Sequence, residues 1–374
     1  MKKLYFIFDQ FPRPQSGGLL GMYKNIFKEL KDRYDICIVE VFKSPDFHKD
    51  AFSDYQFITL HHYSIDSDFV DLLSYLKALR LIKFIKALWN MMIYFISIPF
   101  SRRKVKHLFE KDALIVATSP SAAIFLHHTN QFILEIHTKY EYFFEGTLAS
   151  RLQIKFMTDP SLIIFRSSAD ALKAKNKGLN AGYIYNFADS PLKKDELSDS
   201  RKGYLFLGRL APSKNLFELA DIFNQVHKEN QDIYLDIYGT GVVEESLKDY
   251  IDDHQFNDFI HLKGFTVDKE VYLNYKALVS ASRLEGLPLN ILEAKRCGIP
   301  VISYSWGEST AEVIHSGKDG YIVENQNDFK DKVLLFDQND QLLMELSKNA
   351  FDDYQRFSPK SFIVKYIEFL ENYK

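Results

Sequence analysis

The second half of the chain alternates two kinds of segment in a fixed order, and this restricts the fold more than any other feature. The apolar runs Tyr204-Leu205-Phe206-Leu207, 233–238 and Phe259-Ile260-His261-Leu262 end at or beside Gly208, Gly239 and Gly264. Helix-like stretches at 216–227, 244–251, near 269–275 and at 289–296 are interleaved with them, and further apolar runs stand at 277–281, 301–303 and 321–323. Apolar strands alternating with helices predict βαβ units, a parallel sheet and right-handed crossovers.

The first half opens in the same way. Met1-Lys2-Lys3 precedes Leu4-Tyr5-Phe6-Ile7-Phe8, but Asp9 ends the apolar run and no small-residue cleavage site follows, so a buried first strand is expected rather than a signal peptide. A loop with Pro12, Pro14, Ser16, Gly17 and Gly18 comes next, then an amphipathic stretch at 20–30 and an apolar run at 36–41. The glycine pair stands where the chain leaves the carboxyl end of the first strand, the crevice in which open parallel sheets bind ligands. It serves either a tight turn or a ligand loop, and its spacing is not that of the G-x-G-x-x-G fingerprint.

Further strands are expected at 113–117, 131–136, 161–165 and 182–185. A chain of 374 residues is long for one domain. The polar stretch DSPLKKDELSDSRK at 189–202 is expected to join two α/β domains, 1–188 and 189–358, with a terminal helix at 359–374 packing back on the first.

Composition removes several classes of function. A formal net charge of -3 gives no general drive toward nucleic acid. The two cysteines, Cys37 and Cys297, are far apart and lack C-x-x-C spacing, which excludes a disulfide scaffold or a cysteine-rich zinc site and fits a reducing compartment such as the cytosol. The aromatic share of 15% exceeds ordinary core filling and points to apolar surface somewhere.

The most informative stretch is SRLEGLPLNILEAKRCGIP at 282–300. Pro288 suits a helix start, Leu289, Leu292 and Ala294 suit its buried side, and Gly298 before Pro300 ends it. Amides near Gly286 and Leu287 then lie unpaired at the positive end of a helix dipole, a natural place for phosphate. Glu293, in the second turn, can accept from vicinal hydroxyls such as those of a ribose, and Glu285 can reach a second polyol. Each glutamate alternatively is solvated or caps the helix. Upstream, GRLAPSKN at 208–215 places Arg209 and Lys214 at a strand end and helix start, where two cations suit a diphosphate leaving group, or are merely solvated. Gly239-Thr240-Gly241 allows close backbone approach to a ligand, but a lone G-x-G is a weak signal.

Taken in order, GRLAPSKN, Tyr238-Gly239-Thr240-Gly241, His261-Leu262-Lys263-Gly264-Phe265 and Glu285-Gly286-Leu287-Pro288 with Glu293 resemble glycosyltransferase family 4 over roughly 203–323. The resemblance implies a GT-B fold of two facing Rossmann-like domains with an interdomain cleft. It implies retention of the anomeric configuration of a nucleotide-activated sugar, with no cofactor and no metal. The motif D-x-D occurs at Asp66-Ser67-Asp68, far from the donor motifs.

The family's E-x7-E pair falls on Glu285 and Glu293. The resemblance thereby assigns Glu293 to the ribose, Glu285 to the donor sugar, the Gly286 and Leu287 amides to the sugar and phosphates, and Arg209 and Lys214 to the diphosphate. It places Lys263 and Phe265 near the nucleobase and Gly239 and Gly241 in the donor site. In the first half the likeness is thinner. Gly17-Gly18 corresponds to the family's first glycine loop, and His137, after Leu134-Glu135-Ile136, to a histidine that touches the donor sugar or else is purely structural. Arg166-Ser167-Ser168 and Tyr185-Asn186-Phe187 occupy the places of an S-containing and a P-N-G segment; the second lacks the proline and the glycine.

The segment 77–106, KALRLIKFIKALWNMMIYFISIPFSRRKVK, carries eight Lys or Arg and no acid. Lys77, Arg80, Lys83 and Lys86 recur every three residues, and 87–100 is uncharged but short of the ~20 residues that span a bilayer. The segment is either a core helix with solvated lysines or an interfacial helix, with Trp89, Tyr94 and Phe95 at headgroup level and Arg102 and Arg103 toward anionic lipid.

The expected function is a cytoplasmic glycosyltransferase, peripheral on the inner face of the membrane. It transfers a hexose or N-acetylhexosamine from a nucleotide sugar to a lipid-linked or polymeric glycan, with teichoic acid or a protein glycan as other acceptors. A sugar-nucleotide epimerase and a non-catalytic GT-B partner subunit are the rivals; intact Arg209, Lys214, Glu285 and Glu293 favour transfer.

Overall fold

The computed structural model describes residues 1–12, 19–44, 52–62, 81–146, 148–188, 201–268 and 270–373, without the side chains of 83, 148 and 149. Gly17, Gly18, Lys77, Arg80, the D-x-D at 66–68 and most of the 189–202 linker lie outside the described residues. The chain forms two compact units, Met1–Ile184 with Lys365–Lys374, and Tyr185–Val364.

The first unit holds strands β1 (Lys2–Phe8), β2 (Tyr34–Phe42), β3 (Gln56–His61), β4 (Leu114–Ala117), β5 (Ile133–Glu135), β6 (Leu162–Phe165) and β7 (Ala181–Tyr183). They make one sheet in the order β3-β2-β1-β4-β5-β6-β7, parallel at every pairing. The order reverses between β1 and β4, the switch point of a doubly wound sheet. β3 escapes the sequence reading because it is an edge strand with Leu60 as its one buried residue, so little apolar signal marks it.

The second unit holds β8 (Tyr204–Leu207), β9 (Leu235–Tyr238), β10 (Ile260–Gly264), β11 (Ala277–Ser280), β12 (Val301–Tyr304) and β13 (Gly320–Val323), ordered β10-β9-β8-β11-β12-β13. Every pairing is again parallel. Its switch point lies between β8 and β11. Period-two alternation sends Tyr204 and Phe206 into the core on one face and Leu205 into that on the other, so both faces are covered, as a parallel sheet requires. The helix expected near 269–275 is only a single 3-10 turn, Val271–Asn274.

The aromatic surplus is divided: Trp89, Phe100 and Phe265 are exposed, as expected of part of it. Most of the described rings are interior: Phe8, Phe11, Tyr23, Phe27 and Phe52 form a buried chain of edge-to-face and tilted pairs beneath the first sheet. Burial also pushes the Cys37 and Cys297 thiols up to about 12 and about 11, keeping both protonated.

Candidate functional site

In the second unit the segments at the carboxyl ends of β8 and β11, the two strands that flank the switch point, are tied together at three places, and the segment before β8 adds a fourth tie to the loop after β11. The Lys214 ammonium pairs with Glu285 Oε1, both side chains mostly buried. Ser282 Oγ donates to the Ser213 carbonyl at 3.1 Å, and Asn290 Nδ2 to the Leu207 carbonyl at 2.8 Å. Asn186 Nδ2 donates to the Leu287 carbonyl at 2.8 Å. The helix Leu289–Arg296 therefore starts, with Pro288 as its N-cap, from a loop held on two sides. Arg209 is exposed at the end of β8 and, among the described residues, has no ion-pair partner.

The loop after β9 presses directly on that after β8. Gly208 N–H donates to the Tyr238 carbonyl at 3.0 Å and Leu210 N–H to that of Thr240 at 2.9 Å. A Cβ on Gly239 would come within 1.8 Å of the Gly208 oxygen, and one on Gly241 within 2.2 Å of the Leu210 oxygen. Both glycines are thus required by the approach of two backbones, a reason internal to the fold and distinct from the ligand approach expected of them.

Glu293 Oε2 accepts from the hydroxyl of the fully buried Tyr272 at 2.8 Å; burial and this carboxylate raise the phenol well above its usual range. On β9, next to the edge strand β10, Asp236 accepts from Tyr275 at 2.6 Å, lies 2.7 Å from His261 Nδ1 and 3.8 Å from Lys263 Nζ. Lys263 is therefore partly neutralised. Phe265 stands beyond Gly264 with 60% of its surface exposed. No other described aromatic of this unit is as open.

One described group could hold a metal by spacing: His315, Asp319 and Asp353. The buried Lys295 ammonium already lies there, 3.0 Å from Asp319 and 2.5 Å from Asp353, and supplies the positive charge.

In the first unit, His137 sits in a charged cluster at the carboxyl ends of β5 and β6. Arg166 NH2 lies 3.0 Å from Glu135 Oε1, with both side chains buried, and Tyr23 donates to Glu135 Oε2. Arg166 Nε donates to His137 Nδ1 at 3.3 Å, which leaves the proton of a neutral ring on Nε2, 3.2 Å from the Tyr23 hydroxyl. Burial and the Arg166 charge lower the His137 pKa and keep the ring neutral. Burial would raise the Glu135 carboxyl, but the Arg166 guanidinium and the bond from the Tyr23 hydroxyl hold it down to about 2. Both His137 nitrogens thus have partners inside the unit.

Several positions were missed in the sequence. Glu135, an acid inside the apolar run Ile133–Ile136, was the available sign that a buried cation lay nearby, since an unpaired carboxylate there would be costly. Tyr272 carries no such sign, and Asn186, named in the sequence only for its place in the Tyr185-Asn186-Phe187 segment, gives no hint of its partner 101 residues away.

The basic segment forms a helix, Leu81–Lys106. Trp89, Lys86 and Arg103 are exposed, and the side chain of Lys83 lies outside the described atoms. Two expectations are corrected. Tyr94 is buried, with its hydroxyl donating to the Ser121 carbonyl at 3.2 Å, and Phe95 packs on the core. Arg102 turns inward to the carbonyls of Ile124 and Phe156 instead of outward to lipid. Each follows from the helix docking one face on the first unit.

Comparison with known proteins places these features. Over its full length the fold is the two-Rossmann GT-B fold. A crystal structure of S. aureus TarM in complex with fondaparinux, α-GlcNAc-glycerol and UDP superposes with a TM-score of 0.76 over 99% of this chain and 100% of that one, at 17% identity. Among curated sequences, the chain is 32% identical over 139 residues, 36% of its length, to the GtfA subunit of the UDP-N-acetylglucosamine–peptide N-acetylglucosaminyltransferase of Streptococcus pneumoniae. It is 29% identical over 165 residues, 43% of its length, to the poly(ribitol-phosphate) α-N-acetylglucosaminyltransferase of Staphylococcus aureus. These alignments cover 28% and 34% of the relatives, so the chain matches about a third of each. Residues 190–353, which carry the Lys214–Glu285 pair, Glu293 and the glycine loops, match the family model of the glycosyl transferases group 1.

Proposed function

We propose that the protein is a retaining glycosyltransferase of family 4 that moves a hexose or N-acetylhexosamine from a nucleotide-diphosphate sugar to a hydroxyl of a cell-surface glycan precursor. The Lys214–Glu285 pair carries this reading. It joins the loops of the two central strands, with Arg209 exposed at the same strand end, so that cations for a diphosphate and a carboxylate for sugar hydroxyls share one place. Without ligand the two charges neutralise each other. A bound diphosphate competes for Lys214 and frees Glu285 to accept from the sugar.

In the reaction the bond from the anomeric carbon to the diphosphate oxygen breaks, and a bond to the acceptor oxygen forms on the same face. The acceptor proton passes to the departing phosphate, whose growing charge Arg209 and Lys214 stabilise. Glu293 takes the ribose hydroxyls, the Gly286 and Leu287 amides take the phosphates and sugar, and Phe265 and Lys263 flank the base. The reading needs no metal. UDP-N-acetylglucosamine is the first donor to test, because two relatives are named for transfer of that sugar. A lipid-linked glycan at the cytoplasmic face of the membrane is the expected acceptor; polymeric teichoic acid and protein are the others.

The test is incubation of purified protein with UDP-sugars, alone and with poly(ribitol phosphate), peptide or membrane extract. Transfer, or slow donor hydrolysis with an α-configured product by NMR, is expected. An isomerised donor would replace the reading with an epimerase, and absence of both turnover and UDP binding would leave a non-catalytic subunit.

A further inference from the structure

The helix Leu81–Lys106 has two opposed faces. Tyr94, Ile98, Ser101 and Val105 are buried on one. On the other stand Ile82 (85% exposed), Ile85 (57%), Trp89 (60%), Met92 (43%), Ile96 (55%) and Phe100 (63%). At 3.6 residues per turn these six fall within an arc of about 80°, and they run about 27 Å along the axis. Soluble surfaces rarely leave such an unbroken apolar stripe open. Helix Phe84–Lys106 is long and apolar enough to cross a membrane by length and composition. A crossing helix, however, meets lipid all round, whereas this one has its other side packed into the first unit.

Charge identifies the occupant. Arg103 continues the stripe at its C-terminal end, and Lys86 and Lys106 border it, all exposed; no acidic residue occurs in 77–106. Apolar side chains flanked by cations that have no ion-pair partner among the described residues complement an anionic lipid surface. Beside the stripe an apolar groove of about 530 Å³, lined by Phe95, Ile98, Pro99, Arg102, Leu152 and Phe156, extends the apolar area; Arg102 faces carbonyls, so the groove presents mainly carbon.

We propose that the helix Leu81–Lys106 is an in-plane membrane anchor, inserting Ile82, Ile85, Trp89, Met92, Ile96 and Phe100 among the acyl chains of an anionic bilayer while Lys86, Arg103 and Lys106 contact its headgroups. The proposal deepens the proposed function by giving an enzyme of lipid-linked glycans its approach to the acceptor.

The chain has two tryptophans, and Trp306 is 1% exposed, so a fluorescence change reports Trp89. The full-length protein is mixed with phosphatidylglycerol–phosphatidylcholine vesicles, with phosphatidylcholine vesicles and with buffer, without nucleotide sugar. A blue shift, quenching by brominated acyl chains and co-sedimentation are expected with the anionic vesicles only. Replacing Ile85, Ile96 and Phe100 by Ser should abolish all three, and Lys86→Gln with Arg103→Gln should weaken binding about fivefold per cation. These side chains are exposed, so the fold should survive, as circular dichroism would check. Unchanged binding of either variant would overturn the proposal. So would equal binding to neutral vesicles, or a Trp89 shift that follows protein concentration without vesicles, which would assign the stripe to a second copy of the chain. Because no donor is present, failure of this test and failure of glycosyl transfer are read separately.

Discussion

The side-chain amide of Asn186 donates to the carbonyl oxygen of Leu287 at 2.8 Å, although the two are 101 residues apart. That carbonyl belongs to the peptide bond into Pro288, the N-cap of the helix Leu289–Arg296, so Asn186 sets where the helix begins. Asn186→Ala would leave a buried carbonyl without its donor. The expected loss of unfolding free energy is about 1–3 kcal/mol, measured by urea denaturation, accompanied by weaker UDP binding. Wild-type values for both would show that the bond positions nothing.

Glu293 is asked to serve Tyr272 and a ligand at once. Glu293→Ala removes a charge-assisted contact and should weaken UDP binding by ~1.5–3 kcal/mol, and it also leaves the buried Tyr272 hydroxyl unpaired. Glu293→Gln keeps a carbonyl oxygen for Tyr272, so its melting temperature should recover toward wild type while its UDP affinity, read by calorimetry, stays low. Undiminished affinity in both variants would remove Glu293 from the donor site.

Acid should destabilise the first unit in two stages. The His137 pKa is lowered from 6.5, so its contribution is complete above that pH and declines as the pH falls below it. The Glu135 carboxyl is held at about 2 against 4.5 unperturbed, so its contribution is complete above pH 4.5 and is lost as the pH falls toward 2. Glu135→Gln should erase the second stage and, by leaving Arg166 buried without its counter-charge, cost about 3–5 kcal/mol at neutral pH. Urea titrations from pH 7 to pH 3 would reveal either stage; an E135Q profile parallel to wild type would contradict the assignment.

Local patterns in the sequence determined much of this protein. Apolar runs ending in glycine specify parallel strands, Pro288 and Gly298 mark one helix, and GRLAPSKN with EGLP and Glu293 carries the resemblance to a glycosyltransferase family, because each signal is contained within about a dozen neighbouring residues. Tertiary structure alone decided what those residues touch. Lys214 meets Glu285 across 71 positions, Tyr272 meets Glu293, and Arg166 holds His137. Gly239 and Gly241 proved to be demanded by the neighbouring backbone. In the basic segment the sequence shows charge and apolarity but not which way a helix turns them. Tyr94 and Trp89 look alike in the chain, and only docking on the first unit buries one and exposes the other. A buried partner depends on strand order and loop closure, which no short stretch of sequence contains.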